Sequence, residues 1–389
     1  MVVAALLADR HSACAYTYRM EPTIGLGVIG CGGFGLFALQ QFAQVPGVQL
    51  TGMAGTARPA AEAAARRFRL EDVVDVEKLL ASADVDLVYI STPPFLHYDQ
   101  AKQALSAGKH VICEKPLALT VEQADELIDI ARRGDRLLVA NLMQRYNPLF
   151  DMVGQLIKQR PLGDLLHGYF ENYASDENLP AEHWFWDRTK SGGIFVEHGV
   201  HFFDMFSGWL GPGEVVAAQV SRRSGSGIED QVQCTVRYRN EVHVNFYHGF
   251  QQTGRMDRQE LRLVFERGDL TLYGWVPTQA RVHAIADESS TRTLCDLFTN
   301  ARLDVLAAYG PKDRKCAGHG QEYDVYQQFN LYWGEGRDKS RLYCELLRAF
   351  MADQVAWIHN RSHVRKTTEQ NGRDSVAVAH AADLLAHQG

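Results

Sequence analysis

The sequence predicts an α/β protein in two parts. The first is a parallel sheet sheathed by helices, and the second is an α/β domain on an open, mainly antiparallel sheet. Three observations carry this. From Ile24 to Asn141 short continuous apolar runs alternate with helical segments, as strands buried on both faces require. Past about residue 210 apolar and polar residues alternate singly over long stretches, as strands with one solvated face require. The chain, at 389 residues, also exceeds what one hydrophobic core usually serves.

Residues 1–23 are set aside as an N-terminal extension. VVAALLA followed by ACA imitates a signal peptide, but no basic segment precedes it and DRH interrupts it, so secretion is not expected. From Ile24, IGLGVI leads into FGLFALQQFA, VQLTGMA into AAEAAARRF, VDLVYIS into HYDQAKQALSAG, and HVICE into VEQADELIDIARR, with RLLVAN closing the series. This strand-then-helix grammar covers 24–144. The remainder, 145–389, is taken as the second domain. It carries the alternating segments VQCTVRYR, EVHVNFYHGF and ELRLVFERGDLTLYGW, and ends in helical stretches near 340–358 and 373–387.

Composition narrows the function classes. A chain that is 46% hydrophobic and 22% charged, with net charge −7, is globular and has no basic footprint for nucleic acid or an anionic membrane. No apolar run is long enough for a membrane span. Seven cysteines without a CxxC pair indicate neither a disulfide framework nor a thiolate zinc site, and a cytoplasmic location is expected.

GVIGCGGFG places Gly30, Gly32 and Gly35 in G-x-G-x-x-G spacing between a strand and a helix. That context makes it a dinucleotide-binding turn of a Rossmann domain, with Gly33 and Phe34 completing the cofactor contact. About 20 residues on, where a carboxylate usually meets a free ribose 2′-hydroxyl, stands Gly55, followed by Thr56 and Arg58. Loss of the carboxylate removes repulsion of a 2′-phosphate, and Thr56 and Arg58 can bind it. NADP is therefore preferred over NAD.

Two stretches carry the chemistry. HVICE runs into Glu114, Lys115 and Pro116 at the C-terminal end of a strand, where ligands of open parallel sheets bind. The Lys115 ammonium there can steady charge on a substrate oxygen. STPPFLH supplies Thr92, Pro93 and His97 beside it as cofactor contacts. Further on, SGGIFVEHGVHFFD packs Glu197, His198, His201 and Asp204 into eight residues. A metal site, a proton relay and a polar helix start all fit that cluster, although no third metal ligand is apparent and no metal is expected. Glu197 and His201 share a helical face at i, i+4, and Asp204 reads as structural.

GVIGCGGFG, STPPFLH, AGKHVICEKPLA and SGGIFVEHGVHFFD, in this order, resemble the glucose-fructose oxidoreductase/inositol dehydrogenase (Gfo/Idh/MocA) family from about residue 24 to the C-terminus. The resemblance implies a Rossmann domain followed by an α/β domain, and NAD(P)-dependent oxidation or reduction of sugars, cyclitols and dihydrodiols. Residue by residue it implies Lys115 and His201 as catalytic, with His201 the general acid/base and Glu197 where Asp is usual. Gln144, Arg145 and His198 would approach substrate. ENYASDENLPAEHWFWDR, dense in aromatic and hydrogen-bonding groups, suits a polyhydroxylated ligand, with Tyr173 and Trp186 as its contacts. Pairing through the open sheet face would give a homodimer or homotetramer. Glycoside cleavage with retained cofactor and a non-catalytic dinucleotide-binding regulator are the alternatives the resemblance leaves.

Overall fold

The structure, a computed structural model, describes residues 22–55, 58–70, 73–318 and 320–388. Strands β1 (Ile24–Ile29), β2 (Val48–Ala54), β3 (Val73–Val74), β4 (Leu87–Ile90), β5 (His110–Cys113) and β6 (Leu138–Ala140) form a parallel sheet in the order β3-β2-β1-β4-β5-β6. Every residue of β1, β4, β5 and β6 is buried. The continuous apolar runs of the sequence have this cause. Helices α1 (Gly33–Phe42), α2 (Arg58–Phe68), α3 (Val76–Ala81), α4 (His97–Ser106) and α5 (Val121–Gly134) make the crossovers.

Helix α5 shows the local logic. Ala124, Leu127, Ile128 and Ala131 are its buried residues, spaced to form one apolar stripe. The Thr120 side chain accepts a hydrogen bond from the Gln123 amide at its start, and Asp135 ends it in a left-handed conformation at φ 50°. Burying Leu127 or Ile128 contributes roughly 2 kcal/mol each.

Helix α6 (Pro148–Gln159) leads into the second sheet, which also receives α7 (Arg188–Ser191) and α8 (Val200–Leu210) on its way. Its strands are β7 (Leu165–Ser175), β8 (Glu214–Arg222), β9 (Glu229–Arg237), β10 (His243–Gln252), β11 (Arg258–Phe265), β12 (Gly268–Tyr273), β13 (Gln279–Ala286) and, after α9 (Glu288–Leu297), β14 (Arg302–Ala308). A separate hairpin of β15 (Lys315–Gly318) and β16 (Gln321–Asp324) precedes the last strand, β17 (Gln327–Trp333). The nine strands run β14-β17-β13-β12-β11-β7-β10-β9-β8, antiparallel except for the β7–β10 pair. Phe170, Val232, Val244, Phe246, Leu261 and Leu263 bury one face beneath α8 and the C-terminal helix α11 (Glu369–Ala386). On the other face Tyr169, Glu171, Tyr173, Gln219, Thr235 and Tyr247 line an open groove.

The contiguous division at residue 145 does not describe the packing. Helix α10 (Lys339–His359) returns to the parallel sheet, where Leu342, Leu346, Leu347, Phe350 and Met351 share a core with Leu26, Val28, Tyr89 and Val139. Its apolar stripe fits the exposed flank of α1, and the sequence pattern alone carries no sign of which sheet it will choose.

Candidate active site

In the parallel sheet the chain runs outward from β1 through β2 to β3, then crosses back to place β4 on the other side of β1, so the strand order reverses there. The C-terminal ends of the strands at such a switch point form a crevice. Here it is a cavity of about 600 Å³. Its walls include Gly32, Gly33, Phe34 and Gly35 after β1, Ser91, Thr92 and Pro93 after β4, and Glu114 and Lys115 after β5. Glu197, His201, Trp184 and Trp275 close it from the side of the second sheet.

At one end the glycines are required by contact. Gly30 sits at φ +107°, and a Cβ there would lie 2.8 Å from the Ser91 carbonyl. A Cβ on Gly35 would lie 2.2 Å from the Ser91 hydroxyl oxygen. Gly32 and Gly33 differ: a Cβ on either would meet nothing within 4 Å, so their bareness leaves room over the turn. Gly55 is bare because a Cβ would meet Cys31 Sγ at 2.9 Å and Ala61 at 3.0 Å. No carboxylate fits that position while Cys31 fills it. Thr56 and the side chain of Arg58 lie outside the described residues.

At the other end Lys115 Nζ donates to Glu197 Oε1 at 2.6 Å and to the Glu197 carbonyl oxygen at 2.8 Å. An ammonium has three N–H donors, so one remains unspent toward the cavity. Glu114 beside it is buried, its Oε1 accepting from the Tyr89 hydroxyl at 2.6 Å and Asn141 Nδ2 at 2.8 Å. Burial pushes its pKa up, opposed by those hydrogen bonds.

Glu197 and His198 lie in a π-helical turn, Phe195–Gly199, that runs into α8. Such single turns with an extra residue cluster at functional sites. Glu197 and His201 both reach the cavity, and His198 turns into the core. Its Nδ1 lies 2.9 Å from Nδ1 of the fully buried His248, so one ring donates to the other. Burial first, and the Lys115 charge second, pull His198 down to about 3. The same two causes hold His201 well below the ordinary histidine value. His201 Nδ1 is buried without a hydrogen-bond partner among the described residues, and its ring stands edge-on to Trp275 at 4.8 Å.

Several residues expected at the site are elsewhere. His97 is fully buried, with its two ring nitrogens 2.7 Å from the carbonyl oxygens of Thr92 and Pro116; it braces two loops and does not reach the cavity. Arg145 is taken up by Asp204, which accepts from both its Nε and Nη2. Gln144 is buried and donates to the Trp275 carbonyl at 2.6 Å. Tyr173 lies on the open face of the sheet, against Tyr247 and Arg258. This follows from strand alternation: its neighbour Asn172 is the one that faces inward. Of the WFW triplet it is Trp184 that lines the cavity, while Trp186 packs against Phe185 and Phe250.

Residues 24–142 match the family described as "Oxidoreductase family, NAD-binding Rossmann fold", and residues 150–271 match the "GFO/IDH/MocA C-terminal domain". The chain belongs to the Gfo/Idh/MocA family. It is 34% identical over 191 residues to 1,5-anhydro-D-fructose reductase from Ensifer adhaerens, covering 46% of this chain and 55% of that protein. To dTDP-3,4-didehydro-2,6-dideoxy-alpha-D-glucose 3-reductase from Saccharopolyspora spinosa it is 29% identical over 218 residues, covering 54% and 63%. The chain thus spans between about half and two thirds of the length of these curated relatives. Among solved structures, levoglucosan dehydrogenase in complex with NADH and L-sorbose superposes with TM-score 0.73 at 19% identity, covering 94% of this chain and 97% of that one. A 3-ketoreductase from Actinomadura kijaniata with NADP gives TM-score 0.67 at 20% identity, covering 93% and 97%. At these identities the likeness is one of fold.

The glycine end of this Gfo/Idh/MocA chain fits a dinucleotide. Gly32 and Gly33 leave the pyrophosphate its space, and α1 opens with no acidic residue in its first turn, as anion binding at a helix start needs. Sequence reading missed Ser91, Trp275, Lys339 and Tyr343 on the cavity wall, and within the WFW triplet chose Trp186 where Trp184 stands. Trp275 follows Gly274, whose φ of +90° turns the chain out of β12; a Gly-Trp pair at a strand end is a signal that could have drawn attention to it. Lys339 and Tyr343 are brought by the return of α10, which no local pattern announces.

Proposed function

We propose that this protein is an NAD(P)-dependent oxidoreductase that transfers hydride between the nicotinamide and a CH–OH or C=O carbon of a sugar, cyclitol or related polyol. The observation that carries the reading is the convergence of Lys115 and His201 on the cavity whose far end is the glycine turn.

A bound nicotinamide supplies the hydride acceptor or donor. The unspent N–H of Lys115 holds the substrate oxygen and steadies negative charge as it develops. Glu197, bonded to the other two protons, fixes where that N–H points. His201, kept neutral by burial and by the Lys115 charge, takes the hydroxyl proton in oxidation and returns it in reduction. Trp184, Trp275 and Tyr343 offer flat apolar faces to the C–H surface of a sugar ring and exclude water. Gly55 supports a preference for NADP, with Thr56 and Arg58 as the proposed phosphate contacts. The cytoplasm, and a homodimer or homotetramer formed through the open sheet face, complete the reading.

A second reading has its own support. The chain is 33% identical over 204 residues to a glycosyl hydrolase family 109 protein from Streptomyces niveus, covering 47% of this chain and 40% of that protein. Glycoside cleavage through transient oxidation would need the same three residues but no net turnover of cofactor. Mass spectrometry of dinucleotide released on denaturation, with fluorescence titration of the stripped protein, separates the two. Exchangeable cofactor that prefers NADPH and turns over with keto-sugars or polyols is expected. A tightly retained, non-exchanging cofactor would move the assignment to internal redox cycling, and a clear NADH preference would overturn the assignment from Gly55.

A further inference from the structure

We propose that Lys339, carried by the returning helix α10, is the cation that neutralises the bridging pyrophosphate of the dinucleotide. The inference rests on the dinucleotide reading above and adds a residue that the glycine motif does not contain. Lys339 lines the same cavity as Gly32, Gly33 and Phe34. It is exposed, and among the described residues it has no hydrogen bond or ion pair. Lys115, the other cation on the cavity wall, is held by Glu197 at 2.6 Å. The first turn of α1 brings no counter-charge of its own, and neither does its last. A diphosphate entering over the glycine turn would otherwise find backbone amides and the Ser91 hydroxyl but no unpaired ammonium.

The position of Lys339 is fixed from both sides. Asp338 caps α10, its Oδ1 accepting from the amides of Ser340 at 2.8 Å and Arg341 at 3.3 Å. Those amides are thereby spent, which leaves the lysine side chain as the electropositive group of that rim. One turn later Tyr343 packs against Phe34 at 5.9 Å and Phe37 at 5.3 Å, tying the start of α10 to the start of α1. A flexible ammonium on the same cavity wall as the bare glycines suits a diester anion approached as a point charge. The pyrophosphate is the partner because it sits at the glycine turn, whereas the ribose 2′-position belongs to the end of β2, and Gly55 is not on this wall. The contact would therefore serve NADH and NADPH alike.

The test is fluorescence titration of the full chain and its Lys339→Met and Lys339→Arg variants with NADH and with NADPH, at low and high salt. Lys339→Met is expected to raise Kd for both cofactors equally, by about tenfold at low salt, with the gap closing as salt screens the charge. Lys339→Arg is expected to restore most of the affinity. Unchanged affinity of Lys339→Met for both, with normal binding by the unaltered chain, overturns the assignment while the dinucleotide reading stands. A loss confined to NADPH also overturns it, by moving the contact to the 2′-phosphate. Failure of the unaltered chain to bind either cofactor would overturn the dinucleotide reading itself. Exposure of Lys339 keeps the fold out of the question, and circular dichroism checks this.

Discussion

Two ion pairs join the parallel-sheet unit to the helix that carries EHGVH, and they do different work. Lys115–Glu197 has side chains 19% and 12% exposed, whereas Arg145–Asp204 has 13% and 2%. In the second pair the guanidinium donates through Nε and Nη2 to both carboxylate oxygens and to the Asp204 carbonyl, and Arg145 is not on the wall of the active-site cavity. In the first pair a donor is left over and the cavity is beside it. A cationic residue near the site is thus a brace or a reagent according to whether a leftover donor opens onto the cavity.

The widest separation between the pairs should come from Lys115→Met. Turnover is expected to fall by about 10³-fold, with dinucleotide affinity changed by less than about threefold; steady-state kinetics and fluorescence titration would measure both. A variant that keeps its turnover would erase the contrast. His201→Asn is expected to cost about 10²-fold in kcat. In the intact protein the oxidation rate should stay flat as pH falls through 6.5, because His201 is held neutral well below that value. An acid limb centred near 6.5 would show that the base titrates as an ordinary imidazole in the working enzyme, and that burial does not hold His201 down.

Arg145→Met addresses the other pair. It leaves Asp204 buried without a partner, and urea denaturation should show a loss of about 3–5 kcal/mol, with kcat per folded molecule nearly unchanged. A turnover loss as large as that of Lys115→Met would make Arg145 part of the chemistry. The surrounding histidines predict a milder pH effect. His110, pulled down to about 4 by burial and then by Arg136, and His198 bind protons more readily unfolded than folded. Their stabilising contribution is present above about pH 6.5 and is lost as pH falls toward the folded values. Each group costs about 1.4 kcal/mol per pH unit over that window, measurable from urea midpoints. The smallest effect is expected from Tyr173→Ala: on the open sheet face, it should leave kcat/KM within about twofold.

The site was legible from sequence where a residue's place follows from its neighbours. The glycine turn, Thr92–Pro93 and Glu114–Lys115 all follow strands of the parallel sheet, and such strands deliver their C-terminal ends to one edge. The failures share a cause as well. His97 and Tyr173 were placed by the stretch of sequence around them, Gln144 and Arg145 by the family resemblance, and each was claimed by a partner from elsewhere in the fold: the Pro116 carbonyl for His97, Tyr247 and Arg258 for Tyr173, the Trp275 carbonyl for Gln144 and Asp204 for Arg145. His198 and His201 are three residues apart, and only the packing of His248 against the first separates them.

By itself the sequence determined the two kinds of sheet and the dinucleotide turn, because hydrophobic period and glycine spacing act over a few residues; Lys115 and His201 were paired there only through the family resemblance. Only the tertiary structure decided that Glu197 closes on Lys115, that Trp184 and not Trp186 reaches the cavity, and that α10 crosses back to bring Lys339 and Tyr343 opposite the glycines. Those choices depend on which buried surfaces and unspent hydrogen bonds find each other across 82 residues for Lys115 and Glu197 and still farther for α10, and no local pattern encodes that competition.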